Sequence, residues 1–137
     1  MVEVDRNGLE VLSREQCLEL VATATIGRVG ISSGALPTVL PVNFLLDGER
    51  ILIRSGKGTK LDAAMQDAVV AFEVDDFDPI YHSGWSVVIT GVARPVTDPD
   101  ELQALETAPL TRWAPRGNGH VVSISADIVT GRRLGRR

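Results

Sequence analysis

Cysteine is almost absent from this chain of 137 residues: Cys17 is the only one, so no disulfide can form within the chain. A lone cysteine is typical of proteins in the reducing cytoplasm, where we expect this protein to be located. Cys17 falls on the apolar side of a predicted helix, and we interpret it as a small buried side chain rather than a nucleophile. No apolar run is long enough to cross a bilayer, and residues 1–5 lack the apolar core of a signal peptide, so we expect no membrane association.

Histidine is nearly as scarce. The chain has two, His82 and His120, which are far apart in sequence and do not fall in a ligand-spaced cluster. Structural metal sites usually draw on several histidine or cysteine ligands in close groups, so we predict no metal site. No Gly-x-Ser-x-Gly elbow supports a serine nucleophile either. The residues alone therefore name no catalytic group.

The chain also has little excess charge. Its net charge of −4 argues against a general nucleic-acid-binding surface, and the basic stretch 132–137 is the one exception. Hydrophobic residues make up 44% and charged residues 23%, which is the balance of a soluble globular protein. This length suits one core. We predict a single domain over residues 1–137, with residues 1–10 and 135–137 as flexible ends.

Short strands dominate the hydrophobic pattern. Ser13 and Gln16 form a capping-box pattern that begins the first of three short helices. Asp47-Gly48 is a strong hairpin signal, Gly91 is predicted to bend the longest strand, and residues 76–84 are predicted to form a loop. The predicted strands are residues 25–32, 37–46, 50–54, 69–75, 85–96 and 120–124, and residues 127–134 are predicted to form a last strand or a turn.

Consecutive strands with hairpin signals, and no alternation of strands with helices, favour an antiparallel barrel. The predicted fold class is therefore mainly β: a six- to seven-stranded antiparallel barrel with a few short helices. This order of elements disfavours the dinucleotide-binding and P-loop folds.

The stretch from Arg54 to Lys60 is the clearest functional signal. It places two glycines, two hydroxyls and three cations at a predicted turn from strand to helix. Glycines let backbone N–H groups converge on an anion, and hydroxyls and cations add donors and positive charge. The turn lacks both the Gly-x-Gly-x-x-Gly spacing and the Gly-x-x-x-x-Gly-Lys-Ser/Thr spacing. It therefore predicts a phosphate site of another kind.

Several motifs, taken in order, resemble one family. They cover residues 11 to 134 and comprise Ile26-Gly27-Arg28-Val29, Pro37 through Phe44, Ser55-Gly56-x-Gly-Thr59-Lys60, Val70 through Asp75, Gly84 through Gly91 and Thr130 through Leu134. Each motif alone is weak, but their order and spacing together are specific. The chain resembles the pyridoxamine 5′-phosphate oxidase-like split-barrel proteins that bind flavin mononucleotide (FMN), in particular their small bacterial branch.

The resemblance implies a split barrel that forms a homodimer, with FMN in each of two clefts between the subunits and a small molecule as substrate. Lys60 and Thr59 correspond to the residues that bind the phosphate of the cofactor. Arg54 and Ser55 correspond to the strand end that lines the phosphate and the ribityl chain. From the residues alone, Lys60 and Arg54 either bind this phosphate or face water. Thr59 either binds the phosphate or caps the helix, and the two roles are compatible.

The resemblance also implies contacts to the rest of the flavin. Pro41, Val42 and Asn43 correspond to the strand that runs beside the isoalloxazine ring. Trp85 and Ser86 correspond to the start of a strand that reaches the flavin. Arg132 corresponds to a late arginine near the cofactor or the dimer interface. Trp85 and Trp113 are the only tryptophans, and each lies either in the core or at a cleft.

One departure from the family affects the expected function. The true oxidases end with an Arg-x-His motif for their substrate, whereas this chain has Arg132-Arg133-Leu134 there. We therefore expect an FMN-dependent oxidoreductase with a different substrate. The alternatives are a flavin-binding carrier or sensor without turnover, and a reductase that uses a deazaflavin.

Overall fold

A computed structural model describes residues 2–56, 58–106 and 119–135 of the chain. The structure is mainly β, as the sequence predicts. Its elements in chain order are β1 (Glu10–Val11), α1 (Arg14–Val21), β2 (Ile26–Ser33), β3 (Leu36–Asn43), β4 (Leu45–Asp47), β5 (Arg50–Gly56), α2 (Lys60–Ala64), β6 (Ala68–Asp78), β7 (Ser83–Pro95), α3 (Pro99–Leu105), β8 (Gly119–Ser125) and β9 (Ile128–Leu134). The described strands outnumber the six or seven predicted because β1 is a short addition and the strand predicted over residues 37–46 is divided into β3 and β4.

All nine strands belong to one antiparallel sheet that curls into a half-barrel. The main order is β3-β2-β6-β7-β8-β5-β4, with β9 paired to β7 and β1 paired to β9. The long strand β7 pairs with β6 from Ser83 to Ala93. Its other edge pairs first with β9, from Gly84 to Thr90, and then with β8, from Ala93 to Pro95. The sheet therefore splits at Gly91, where the partner of β7 changes.

Two local predictions are confirmed. The Ser13 hydroxyl accepts a hydrogen bond from the Gln16 backbone N–H at 3.1 Å, and the Gln16 side chain accepts one from the Ser13 N–H at 2.8 Å. This is the reciprocal capping box that the sequence predicts at the start of α1. Asp47 and Arg50 are paired across the β4–β5 hairpin, and Gly48 adopts a positive φ of 62° in its turn.

Two predicted boundaries are wrong. The strand predicted over residues 37–46 is interrupted at Phe44, because the chain changes its pairing partner there: β3 pairs with β2 as far as Asn43, and β4 pairs with β5 from Leu45. The Phe44 ring is buried and packs edge-on against Phe72, with 4.9 Å between the ring centroids. The loop predicted over residues 76–84 is shorter, because β6 and β7 stay paired as far as Asp78 and Ser83. Only four residues are left for the turn, so a long β-ribbon extends from the sheet.

The main core fills the inside of the curl. Phe72, Ile53 and Ile89 are fully buried there, and so is Met65, which follows α2 directly. Cys17 is also fully buried, as predicted, and burial raises the pKa of its thiol. A second, smaller apolar cluster lies under α3 and consists mainly of Leu52, Leu105 and Val121.

The N-terminal segment lies along β9. The Val11 N–H donates to the Glu3 carbonyl at 2.8 Å, and Arg132 pairs with Asp5. These contacts do not favour the predicted flexibility of residues 1–10, which stays a prediction. Lys57, Trp113 and residues 136–137 lie outside the described residues. Within residues 2–56, 58–106 and 119–135, no helix is long and apolar enough to cross a membrane, and no cluster of acidic, histidine or cysteine side chains has the make-up of a metal site.

Candidate cofactor site

A cavity of about 310 Å³ opens where β6 and β9 end and β7 begins. Three of the residues that the sequence proposes as flavin contacts line it: Trp85, Ser86 and Arg132. Strand pairing explains why Ser86 and Arg132 lie side by side at the cavity, because Ser86 on β7 is the direct partner of Arg132 on β9. The remaining lining residues are Leu9, Glu73, Asp75, Asp76, Phe77, Gly84 and Leu134. Trp85 is half-buried and also packs against the main core.

Two carboxylates share one cation at this cavity. Arg28 on β2 lies 3.3 Å from the carboxylate of Glu73 and 3.3 Å from that of Asp75. Burial, together with the hydrogen bond and the negative charge of Asp75, raises the pKa of Glu73 to about 7. Arg28 acts in the opposite direction, but its effect is smaller. The cavity wall therefore contains a carboxyl group that can exchange a proton near neutral pH.

Arg132 is held in place on the cavity wall. Its Nε donates to the Asp5 carboxylate at 2.9 Å, and its Nη1 donates to the Gly131 carbonyl at 2.9 Å. The Leu9 backbone N–H, the Asn7 backbone N–H and Arg132 all donate to Asp5 and together lower the pKa of its carboxyl group despite desolvation. The arginine is thus oriented by a residue from the N-terminal segment.

The β5–α2 turn carries four more of the proposed residues. The Arg54 guanidinium donates to the Leu105 carbonyl at 3.0 Å, which ties β5 to the end of α3. Ser55 is 1% exposed, and its hydroxyl has no hydrogen-bond partner among the described residues. Lys60 is exposed and forms no ion pair or hydrogen bond with any described residue. None of these residues lines the cavity around Trp85.

Thr59 caps α2. Its hydroxyl accepts a hydrogen bond from the Asp62 N–H at 3.1 Å and donates to the Gly56 carbonyl at 2.8 Å. The Asp62 carboxylate in turn accepts the Gly58 N–H at 3.1 Å and lies 3.1 Å from Nδ1 of His120. Sequence reasoning missed Asp62 and His120 as part of this turn. The spacing Thr59-x-x-Asp62 is a capping pattern that could have indicated the first of them.

The third proposed segment lies on β3, which pairs with β2 in the described sheet. Val42 is buried in the main core, so it offers a cofactor only its backbone. Pro41 is exposed and Asn43 is half-buried. The proposed residues thus fall on three parts of one chain: the edge strand, the β5–α2 turn and the Trp85 cavity.

Fold and motif order agree with comparisons to known proteins. The family model for pyridoxamine 5′-phosphate oxidase matches residues 13–133, almost the whole chain. The protein therefore belongs to the pyridoxamine 5′-phosphate oxidase-like split-barrel family.

Individual relatives agree with this assignment. An uncharacterized protein of Mycobacterium tuberculosis is 37% identical over 128 residues, which are 90% of this chain and 84% of that protein. The FAD-binding protein of Mycobacterium smegmatis is 32% identical with a TM-score of 0.78, over 92% of this chain and 98% of that one. A candidate pyridoxamine 5′-phosphate oxidase of Corynebacterium glutamicum is 30% identical with a TM-score of 0.82, over 93% and 99% of the two chains.

Proposed function

We propose that this protein is a flavin-binding oxidoreductase that acts on a small molecule. One observation supports the proposal in addition to family membership. The hydroxyl of Ser55 is fully buried and has no hydrogen-bond partner among the described residues. An unpartnered buried hydroxyl is unfavourable for folding alone, and it is explained if a ligand supplies the missing hydrogen bond. The FAD-binding relative in Mycobacterium smegmatis supports a flavin as that ligand.

The residues present fit a flavin phosphate at the β5–α2 turn. Ser55 offers a buried hydroxyl, and Lys60 offers an ammonium group without a partner among the described residues. Thr59 and Arg54 border the same turn, although both already have partners. We propose FMN as the cofactor because these donors form one small group, which suits a single phosphate. FAD and a deazaflavin are the alternatives that the experiment below separates.

The remaining proposed contacts would hold the ring of the flavin. They are Pro41, Val42 and Asn43 on the edge strand, and Trp85, Ser86 and Arg132 at the cavity. A bound flavin supplies hydride or electron transfer by itself. The protein would bind and orient it, and the Glu73 carboxyl at the cavity could hold or release a proton near neutral pH.

We also propose a homodimer with the cofactor between its subunits. The outer face of the sheet carries large exposed apolar side chains: Val39 is 67%, Val69 71% and Ile128 60% exposed. Strand register places all three on the same face, which runs on to Ser86 and Arg132 at the cavity. Several exposed apolar side chains on one face of a sheet favour an interaction surface. Pairing through it would bring residues of a partner subunit to the cavity.

A binding protein without turnover is the second candidate. It is favoured by the end of β9, where Arg132-Arg133-Leu134 stands in place of the Arg-x-His substrate motif of the true oxidases. For the same reason we do not propose oxidation of pyridoxamine 5′-phosphate.

Flavin titration tests the proposal. The purified protein should quench the fluorescence of FMN on saturable binding, and parallel titrations with FAD and a deazaflavin identify the preferred cofactor. Lys60→Ala should weaken FMN binding by about tenfold, as expected for the loss of a charge-assisted hydrogen bond. Arg94→Ala is the control, because it removes an exposed cation on β7 whose ion pair with Asp67 is 3.7 Å long.

Absence of binding to all three cofactors would refute the proposed function. Equal, tight FMN binding by wild type and Lys60→Ala would refute only the role of Lys60. Reduction of the bound flavin by a nicotinamide nucleotide, followed by many turnovers on an acceptor, would distinguish an enzyme from a carrier or sensor.

A further inference from the structure

Asp62 on α2 and His120 on β8 form a polar pair. They are 58 residues apart in sequence, and Oδ1 of Asp62 lies 3.1 Å from Nδ1 of His120. Asp62 is 7% exposed, and its second carboxylate oxygen accepts the Gly58 N–H. A buried carboxylate with both oxygens engaged has one stable orientation. The pair therefore fixes the plane of the imidazole ring relative to the β5–α2 turn.

This contact leaves one nitrogen of the ring available. Because Nδ1 faces the carboxylate, it carries a hydrogen, and Nε2 points away from Asp62. Nε2 has no hydrogen-bond partner among the described residues. In the imidazolium form Nε2 also carries a hydrogen and can donate a hydrogen bond to an anion.

His120 lies beside the unpartnered hydroxyl of Ser55. The two are direct partners in the β5–β8 ladder, so their side chains lie on the same face of the sheet. Ser55 is 1% exposed, and its hydroxyl lacks a partner among the described residues. This observation on Ser55 is independent of the Asp62–His120 contact. Lys60 follows at the start of α2, also without a described partner. Three polar side chains, each with an atom that has no partner among the described residues, thus belong to the β5–α2 turn and its partner strand β8.

We propose that His120, positioned by Asp62 and neighbouring Ser55, binds the phosphate of the flavin. This inference rests on the proposed function and names a further residue of that site. His120 is the binding residue, and Asp62 acts through it as a positioning residue. The competing explanation is that the Asp62–His120 contact only joins α2 to β8 and stabilises the fold.

The experiment compares FMN with riboflavin, which lacks the phosphate. Dissociation constants for both are measured by fluorescence titration on the full chain. We expect wild type to prefer FMN and His120→Phe to lose about tenfold or more in FMN affinity, while riboflavin affinity stays within about threefold. His120→Gln keeps a side-chain donor and should retain part of the preference. Asp62→Asn should lower the preference because it weakens the contact that orients the ring.

His82→Asn is the matched control. His82 is the other histidine of the chain, it is exposed, and its positive φ of 50° is one that asparagine tolerates. This variant should leave the ratio of FMN to riboflavin affinity unchanged. Thermal unfolding without flavin, measured on every variant, reports any loss of stability separately.

The outcomes separate the two proposals. Wild type that binds neither flavin would refute the proposed function and this inference with it. Wild type that binds FMN and riboflavin equally would leave flavin binding standing and refute the phosphate site. A folded His120→Phe or His120→Gln variant with the wild-type preference for FMN, even at a lowered melting temperature, would show that the pair is only structural.

Discussion

Gly91 on β7 lies against the Ser125 carbonyl of β8 so closely that a methyl group at Gly91 would overlap with the carbonyl oxygen. This contact lies where β7 changes its partner from β9 to β8. The Ser125 hydroxyl reinforces it by accepting the Val92 N–H at 3.0 Å. The splitting of the sheet therefore depends on a position without a side chain.

We expect Gly91→Ala to destabilise the fold by roughly 3 kcal/mol or more, because backbone on two strands must move to relieve the overlap. Chemical denaturation gives the free energy of unfolding. Gly30→Ala is the control, since a methyl group there would meet the Ala71 side chain at an ordinary 3.7 Å. A Gly91→Ala variant as stable as Gly30→Ala would contradict this account.

Ser55→Ala should have opposite effects on stability and binding. Without flavin, removal of a buried hydroxyl that has no described partner should stabilise the protein by about 1 kcal/mol. The same change should weaken FMN binding, because the hydroxyl is then missing from the phosphate site. Ser125→Ala on β8 is the control and should destabilise, since its hydroxyl is hydrogen-bonded to Val92 and Asp127. Lower stability of flavin-free Ser55→Ala would mean that the hydroxyl has a partner in the folded chain.

Local signals explain how much of the fold could be predicted. The capping box at Ser13 and the Asp47-Gly48 hairpin each lie within a few residues of sequence, and both are confirmed. The break at Phe44 could not be seen in this way. It lies where the chain passes from pairing with β2 to pairing with β5, which depends on the order of strands in the whole sheet.

The candidate site was predictable only in part, for the same reason. The Gly- and Lys-rich turn has a composition of its own and could be recognised without the structure. The Asp62–His120 contact joins residues 58 positions apart and has no local pattern. The ion pair between Glu73 and Arg28 likewise has no local pattern, because the two residues are 45 positions apart and are brought together by the sheet.

Glu73 should make stability depend on pH. Burial and Asp75 raise its pKa in the folded protein from 4.5 to about 7, so the folded state holds the proton more tightly than the unfolded state. This contribution to stability is fully present below about pH 4.5, decreases as the pH rises and is lost above about pH 7. Glutamine mimics the protonated form. Glu73→Gln should therefore be more stable than wild type by about 1 kcal/mol at pH 8. This value already includes a reduction for solvent screening of the charges. The difference in stability should become smaller as the pH is lowered toward about 5.

Urea denaturation at several pH values measures this difference. Asp75→Asn is the second variant, because it removes the negative neighbour and should reduce the pH dependence that Glu73 causes. Parallel pH profiles of wild type and Glu73→Gln would show that Glu73 does not hold its proton in this range.

The proposed dimer can be tested with two substitutions on one strand, because β3 carries exposed apolar side chains on both of its faces. Val39 is 67% exposed on the outer face of the sheet, and Leu36 is 70% exposed on the other side of the same strand. If two copies pair through the outer face, Val39→Arg buries a charge in the interface and should yield a monomer, while Leu36→Arg should leave the dimer intact. Light scattering after size-exclusion chromatography measures the mass of each variant.

The monomeric Val39→Arg variant should also bind FMN more weakly than Leu36→Arg, since it loses any contact made by a partner subunit. A wild-type monomer that binds FMN tightly would contradict both the dimer and the shared site.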